Sequence, residues 1–173
     1  MFFMEREDEI FAELNRNPEE ALKKYEAMAG HERDAACAVS DYYWQFVTLD
    51  DEWLDSAQAK DLGKKIYDST QWAVRMNPHD YSYRMGQIYE YGIGLPAGEF
   101  RLARKYYEDA YEFGYWEAAE ALSQMFAAEL KRLAPDDSHY DYCAKSAASW
   151  HRLAEKSRLR QIAAEQDSAK EED

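Results

Sequence analysis

The side chains able to do chemistry are dispersed. The four histidines, His31, His79, His139 and His151, and the two cysteines, Cys37 and Cys143, stand far apart in the chain. Neither cysteine belongs to a C-x-x-C or a spaced metal pair, so reduced, buried thiols are expected. Asp136-Asp137-Ser138-His139-Tyr140-Asp141 brings carboxylates and an imidazole together, a set that would bind a cation weakly. A helix start accounts for it better, because Ser and Asp cap that end and acids oppose its positive dipole. Gly92-x-Gly94-x-x-x-Gly98 does not have the G-x-G-x-x-G spacing and follows a helical pattern rather than a strand. It is therefore read as a turn and not a nucleotide loop. P-loop, HExxH, GxSxG and EF-hand patterns do not occur in the sequence. Carboxylates abound, but no pair is marked for acid–base work.

The aromatic residues say more. The chain holds 14 Tyr and 5 Trp among 173 residues. Many fill apolar stripes; the others are surface groups of the kind that anchor protein contacts.

These residues must be positioned by helices. A 20.3 kDa chain with 46% hydrophobic and 32% charged residues can bury a core and fold. Seven Gly and four Pro are too few for a sandwich or barrel with many tight turns. The formal charge of −14 argues against nucleic acid and against an anionic membrane surface, and suits either solubility or a basic protein partner. The N-terminal sequence shows no signal-peptide apolar region and no run of membrane length occurs, so a cytoplasmic location is expected.

Apolar spacing is helical nearly throughout. Ile10, Phe11 and Leu14 mark a first short helix, and Asn17-Pro18-Glu19-Glu20 starts a second carrying Ala21, Tyr25, Met28 and Ala29. Further stripes are Ala35/Val39/Tyr43/Val47, Leu62/Ile66/Tyr67/Thr70/Ala73, and Tyr81/Met85/Ile88/Tyr89. Ala103/Tyr106/Tyr107/Ala110/Phe113, Ala118/Leu122/Met125/Phe126/Leu130 and Ala144/Ala147/Ala148/His151/Ala154 follow. Leu49-Asp50-Asp51 reads as a break. The expectation is an all-α fold of roughly eight helices with short connections, a single domain over residues 1–160, and a polar tail over 161–173 that frays.

The stripes repeat. Tyr81-x-x-x-Met85-Gly86-x-x-Tyr89-x-x-Gly92-x-Gly94-Leu95 leads into Ala103-x-x-Tyr106-Tyr107-x-x-Ala110-x-x-x-Gly114 and then Ala118-x-x-x-Leu122. Val39, Met85 and Leu122 hold equivalent positions, as do Tyr67, Tyr107 and His151. This spacing resembles the Sel1-like repeat, a relative of the tetratricopeptide repeat, whose pattern is A-x-x-x-L-G-x-x-Y-x-x-G-x-G-V followed by A-x-x-W-Y-x-x-A-A-x-x-G. The resemblance covers residues 17–158 and is dense in the central unit. Tyr81 departs from the pattern's first Ala, and the loop before Ala103 is slightly long. His151, on a repeat core position, is expected to be a packing residue.

The resemblance implies a short right-handed solenoid of antiparallel helix pairs, about three repeats long. It also implies that the first helix of each pair lines a concave groove. The positions on those helices left over from the core are Asp41, Tyr42 and Gln45 in the first repeat. They are Asp80, Tyr83, Gln87, Glu90 and Tyr91 in the second, and Glu117, Glu120 and Gln124 in the third. An outer rim with Trp53, Tyr111, Tyr115 and Trp116 is the alternative face. The function implied is a scaffold or adaptor: a protein–protein interaction module, without catalysis or cofactor, whose acidic, Tyr-rich groove takes a protein partner. Self-association through an open end of the stack is compatible with it. The alternative is a bacterial immunity protein that neutralises a cognate toxin or effector, a role in which such repeats also occur. A small hydrolase is a third reading, but solenoids rarely form the cleft it needs.

Overall fold

The structure, a computed structural model, describes residues 3–171. Every regular element among them is a helix: α1 (Phe3–Arg16), α2 (Pro18–Ala29), α3 (Arg33–Trp44), α4 (Asp51–Leu54), α5 (Ala57–Met76), α6 (Pro78–Tyr91), α7 (Phe100–Glu112), α8 (Glu117–Leu130) and α9 (Tyr140–Glu171). The all-α expectation holds. The addition is α4, at the expected break, where the Asp50 carboxylate accepts the Trp53 N–H at 2.7 Å and so supports a single turn.

The helix starts at Pro18 and Pro78 are built alike. Each proline stands in the first turn, where its missing N–H costs nothing. The preceding asparagines do not cap the backbone; Asn17 donates to the Glu20 carboxylate at 2.9 Å and Asn77 to Asp80 at 2.8 Å. α5 begins five residues before its apolar stripe because Ser56 caps the Ala59 N–H.

The chain forms two compact units, residues 1–106 and 107–173. The division falls inside α7, so no Gly- or Pro-rich linker marks it in the sequence.

Within the first unit, paired residues fix the direction of each helix. Arg6 meets Glu32 and Asn15 meets Gln45, so α1 and α3 run the same way. Arg84 meets Ser40 and Asp41 and lies over Trp44, which brings α6 alongside α3. Ser40 bonds Thr70 while Lys65 lies over Tyr43, so α5 runs opposite to α3. The Tyr67 and Tyr89 hydroxyls bond at 3.1 Å, and Gly63 abuts Gly94, so α6 runs opposite to α5. Small residues (Ala35, Ala36, Ala38, Ala73) let these helices approach, and Val39, Ile66, Met85 and Ile88 fill the space between them. Gly92 ends α6 in the left-handed conformation at φ 70°.

In the second unit Phe126 packs on Tyr142, and the Ser123 hydroxyl donates to the Ala147 carbonyl. Partner numbers fall as α8 advances, so α8 and α9 form an antiparallel hairpin around Leu122, Phe126 and Cys143. α9 continues as helix through residues 161–171, where the sequence predicts a polar tail; Ala, Glu and Gln there are good helix formers. None of the described helices is long and apolar enough to cross a membrane.

Candidate functional site

The expected groove positions of α3 and α6 lie in the first unit, and at its seam stands a cation absent from the candidate set. Arg84 donates to the Asp41 carboxylate at 2.7 Å and to the Ser40 hydroxyl at 2.9 Å. Its guanidinium lies 5.0 Å from the Trp44 ring centre and 4.9 Å from that of Tyr81. Asp41 is therefore a partner of α6 rather than a free anchor. Arg84 had a legible signal: it shares the α6 face of Asp80, Gln87 and Tyr91 at helical spacing.

Next to this pair is an acidic group. Glu7 of α1 is half-buried, and burial first, then the Asp41 charge, lifts its carboxyl above the usual range. Asp34 and Asp8 add to the effect and Arg33 opposes it. Behind it, burial pushes the Cys37 thiol up to about 11 and raises the Tyr81 hydroxyl as well. Residues 1–55 carry 15 carboxylates against 5 Lys and Arg, so most of the chain's net charge of −14 sits in this stretch. α1 lies outside the repeat pattern, so the spacing gives no signal for Glu7.

Of the other α3 candidates, Tyr42 is half-buried with its ring edge-on to Tyr43 and to the exposed Phe46. Gln45 is exposed and donates to Asn15 at 3.1 Å. On α6, Asp80 is spent on the helix start, taking Asn77 at 2.8 Å and His79 at 2.6 Å. Tyr83, Gln87 and Glu90 are half-buried and Tyr91 is exposed. Tyr91 has its hydroxyl raised by burial, then by Glu90 and Asp51. It lines a cavity of about 580 Å³ with Trp53, Lys60, Gly63, Gly94 and Leu95.

Trp53 corrects the outer-rim expectation. It is 8% exposed, and its indole N–H is buried with no hydrogen-bond partner. Tyr111 is half-buried, edge-on to Trp150.

The third group lies on α8 of the second unit. Glu117, Glu120 and Gln124 are exposed there, and Gln124 donates to Glu120 at 3.4 Å. His151 is not a packing residue: its side chain is 65% exposed, 3.7 Å from Glu155. α9 is rotated there so that Leu153 and Ala154 face inward instead. In the Asp136–Asp141 segment the Asp137 carboxylate accepts the His139 N–H at 2.8 Å, which is a turn into α9. Among the described residues no group of three or more His, Cys, Asp or Glu is placed to hold a metal ion.

No family model, curated protein or solved structure matches the chain.

Proposed function

We propose that the chain is a non-catalytic protein-interaction module, and that the α1–α3–α6 face of its first unit binds a basic segment of a partner protein. The observation that carries this reading is the half-buried Glu7 held against Asp41, Asp34 and Asp8. Burial first, and then these like charges, disfavour the ionised form of Glu7, and a cationic partner offsets the repulsion. Tyr42, Gln45 and Phe46 beside them supply contact area that helices hold in place before binding, so little entropy is lost. The Sel1-like spacing supports the same reading by analogy with a family that mediates protein contact.

The test is recovery of partners on the tagged protein from its native host, washed at low and at high salt and identified by mass spectrometry. A basic partner that is held at low salt, released at high salt and lost on Asp34→Lys is the expected result. If that partner is toxic alone and silent in the complex, the module is an immunity protein; several partners from one assembly make it an adaptor. Capture unaffected by Asp34→Lys, or no partner at either salt, sinks the proposal.

A further inference from the structure

The second half of α9 leaves its fold. Leu159 is 67% exposed and Ile162 39%, the only large aliphatic side chains so exposed among the described residues. At about 100° per residue, Leu159 stands about 140° round the helix from Ala154 and about 160° from Cys143, the α9 side chains buried most deeply. Ile162 stands about 80° and about 100° from the same two, so Leu159 faces away from the buried side and Ile162 lies at its flank. A helical segment without a packed face is marginal in water, so its length here points to a covering surface.

The exposed side has a repeat of its own. Arg152, Glu155, Leu159, Ile162 and Gln166 follow one another at alternating spacings of three and four, the spacing of a two-helix coiled-coil seam with Leu159 and Ile162 as its apolar centre. Basic residues precede its centre (Arg152, Lys156, Arg158, Arg160) and acids follow it (Glu165, Asp167). A parallel copy would set Arg152 against Arg152 and Glu155 against Glu155. An antiparallel copy centred between Leu159 and Ile162 sets each aliphatic against the other. It sets Glu155 against Gln166, and brings Arg158 of one copy beside Glu165 of the other, twice by symmetry. Within one helix Arg158 and Glu165 are seven residues apart, about 10 Å along the axis, and do not pair.

We propose that this face of α9 is a homodimer interface, occupied by the same segment of a second copy running antiparallel. The pairing is isologous, so it closes at two chains.

The test uses the full chain in sedimentation equilibrium and light scattering over a range of concentrations, with far-UV circular dichroism as a folding control. The expected result is a monomer–dimer equilibrium that Leu159→Arg weakens about tenfold or more. Arg158→Glu should weaken it as well, and the double variant Arg158→Glu/Glu165→Arg should restore it while the helix signal stays constant throughout. Restoration by the double exchange requires that the two residues meet between chains, which a purely structural role would not produce. A chain that is monomeric at every concentration, a dimer indifferent to Leu159→Arg, or a double variant no better than Arg158→Glu alone overturns the proposal.

Discussion

Adding one methyl group at Gly94 should damage the first unit more than the same change at any glycine in open space. An alanine Cβ there would lie 2.3 Å from the Gly63 carbonyl oxygen and 2.6 Å from its carbon, both backbone atoms of α5 that cannot swing aside. Gly94 also has φ +72°. The left-handed conformation costs a non-glycine residue about 1–2 kcal/mol, and overpacking against a fixed neighbour adds about 1–3 kcal/mol. Gly94→Ala should therefore cost about 2–5 kcal/mol, a large share of the stability of an ordinary domain. Two controls separate the causes. Gly114 has φ +100° with no atom within 4 Å of the added carbon, so Gly114→Ala should show only the backbone cost of that positive φ, about 1–3 kcal/mol. Gly30 has ordinary helical angles (φ −67°) and equally open space. Gly30→Ala should be neutral, or stabilise by about 0.4–1 kcal/mol through the unfolded chain. Urea unfolding followed by circular dichroism reads all three. If Gly94→Ala is no worse than Gly114→Ala, the close approach of α5 to the α6–α7 loop does not constrain the fold and the reasoning fails.

Two further outcomes follow from the α1–α3–α6 face. Arg84→Ala removes charge-assisted bonds to Asp41 and Ser40 together with the contacts to Trp44 and Tyr81, and should cost about 2–3 kcal/mol in urea denaturation. Arg84→Lys should recover part of that, since an ammonium cannot reproduce the planar stacking; full recovery would mean that charge alone matters. Glu7 sets a pH dependence. The folded chain holds its proton more tightly than the unfolded chain, so stability falls as the pH rises from the ordinary value of 4.5, and the loss is complete above the raised folded-state value. Glu7→Gln should raise the urea midpoint at pH 7, and that gain should vanish as the pH falls below the ordinary value of 4.5; a pH-independent gain would trace it to packing.

Much of the fold is legible in the sequence because repeat positions dictate burial. Val39, Met85 and Leu122 are fully buried, and so is the small residue opening two of those helices, Ala35 or Ala118. Tyr43, Tyr89 and Phe126 are buried in turn. The pattern fails at His151, the equivalent of Tyr67 and Tyr107, because helical spacing fixes which residues share a face but not which face turns inward. The α9 stripe carries little beyond alanine there, so Ala154 and Cys143 set its rotation. α4 is not legible in the sequence because a single capped turn has no periodicity to read. The candidate face was half legible. Spacing placed Asp41, Tyr42 and Gln45 on one helix and Asp80 to Tyr91 on another. It could not reveal that Arg84 would cross between them and occupy Asp41, since that pairing joins residues 43 apart.

That pairing also divides the work of the proposed face. With Asp41 engaged, the charges left for a partner are mostly those of α1 and its neighbours, all in reach of water: Asp8 is exposed, and Glu7 and Asp34 are half-buried. Such charges act over about 8–10 Å at ordinary ionic strength and are individually weak. They raise the rate of encounter with a basic surface but hold it poorly once it has arrived. Retention then falls to the side chains that exclude water, Tyr42 and Phe46, whose rings already brace one another edge-on and lose little freedom on contact. Salt and mutation should therefore separate in kinetics. Added salt slows association with little change in dissociation, whereas Phe46→Ala speeds dissociation with little change in association.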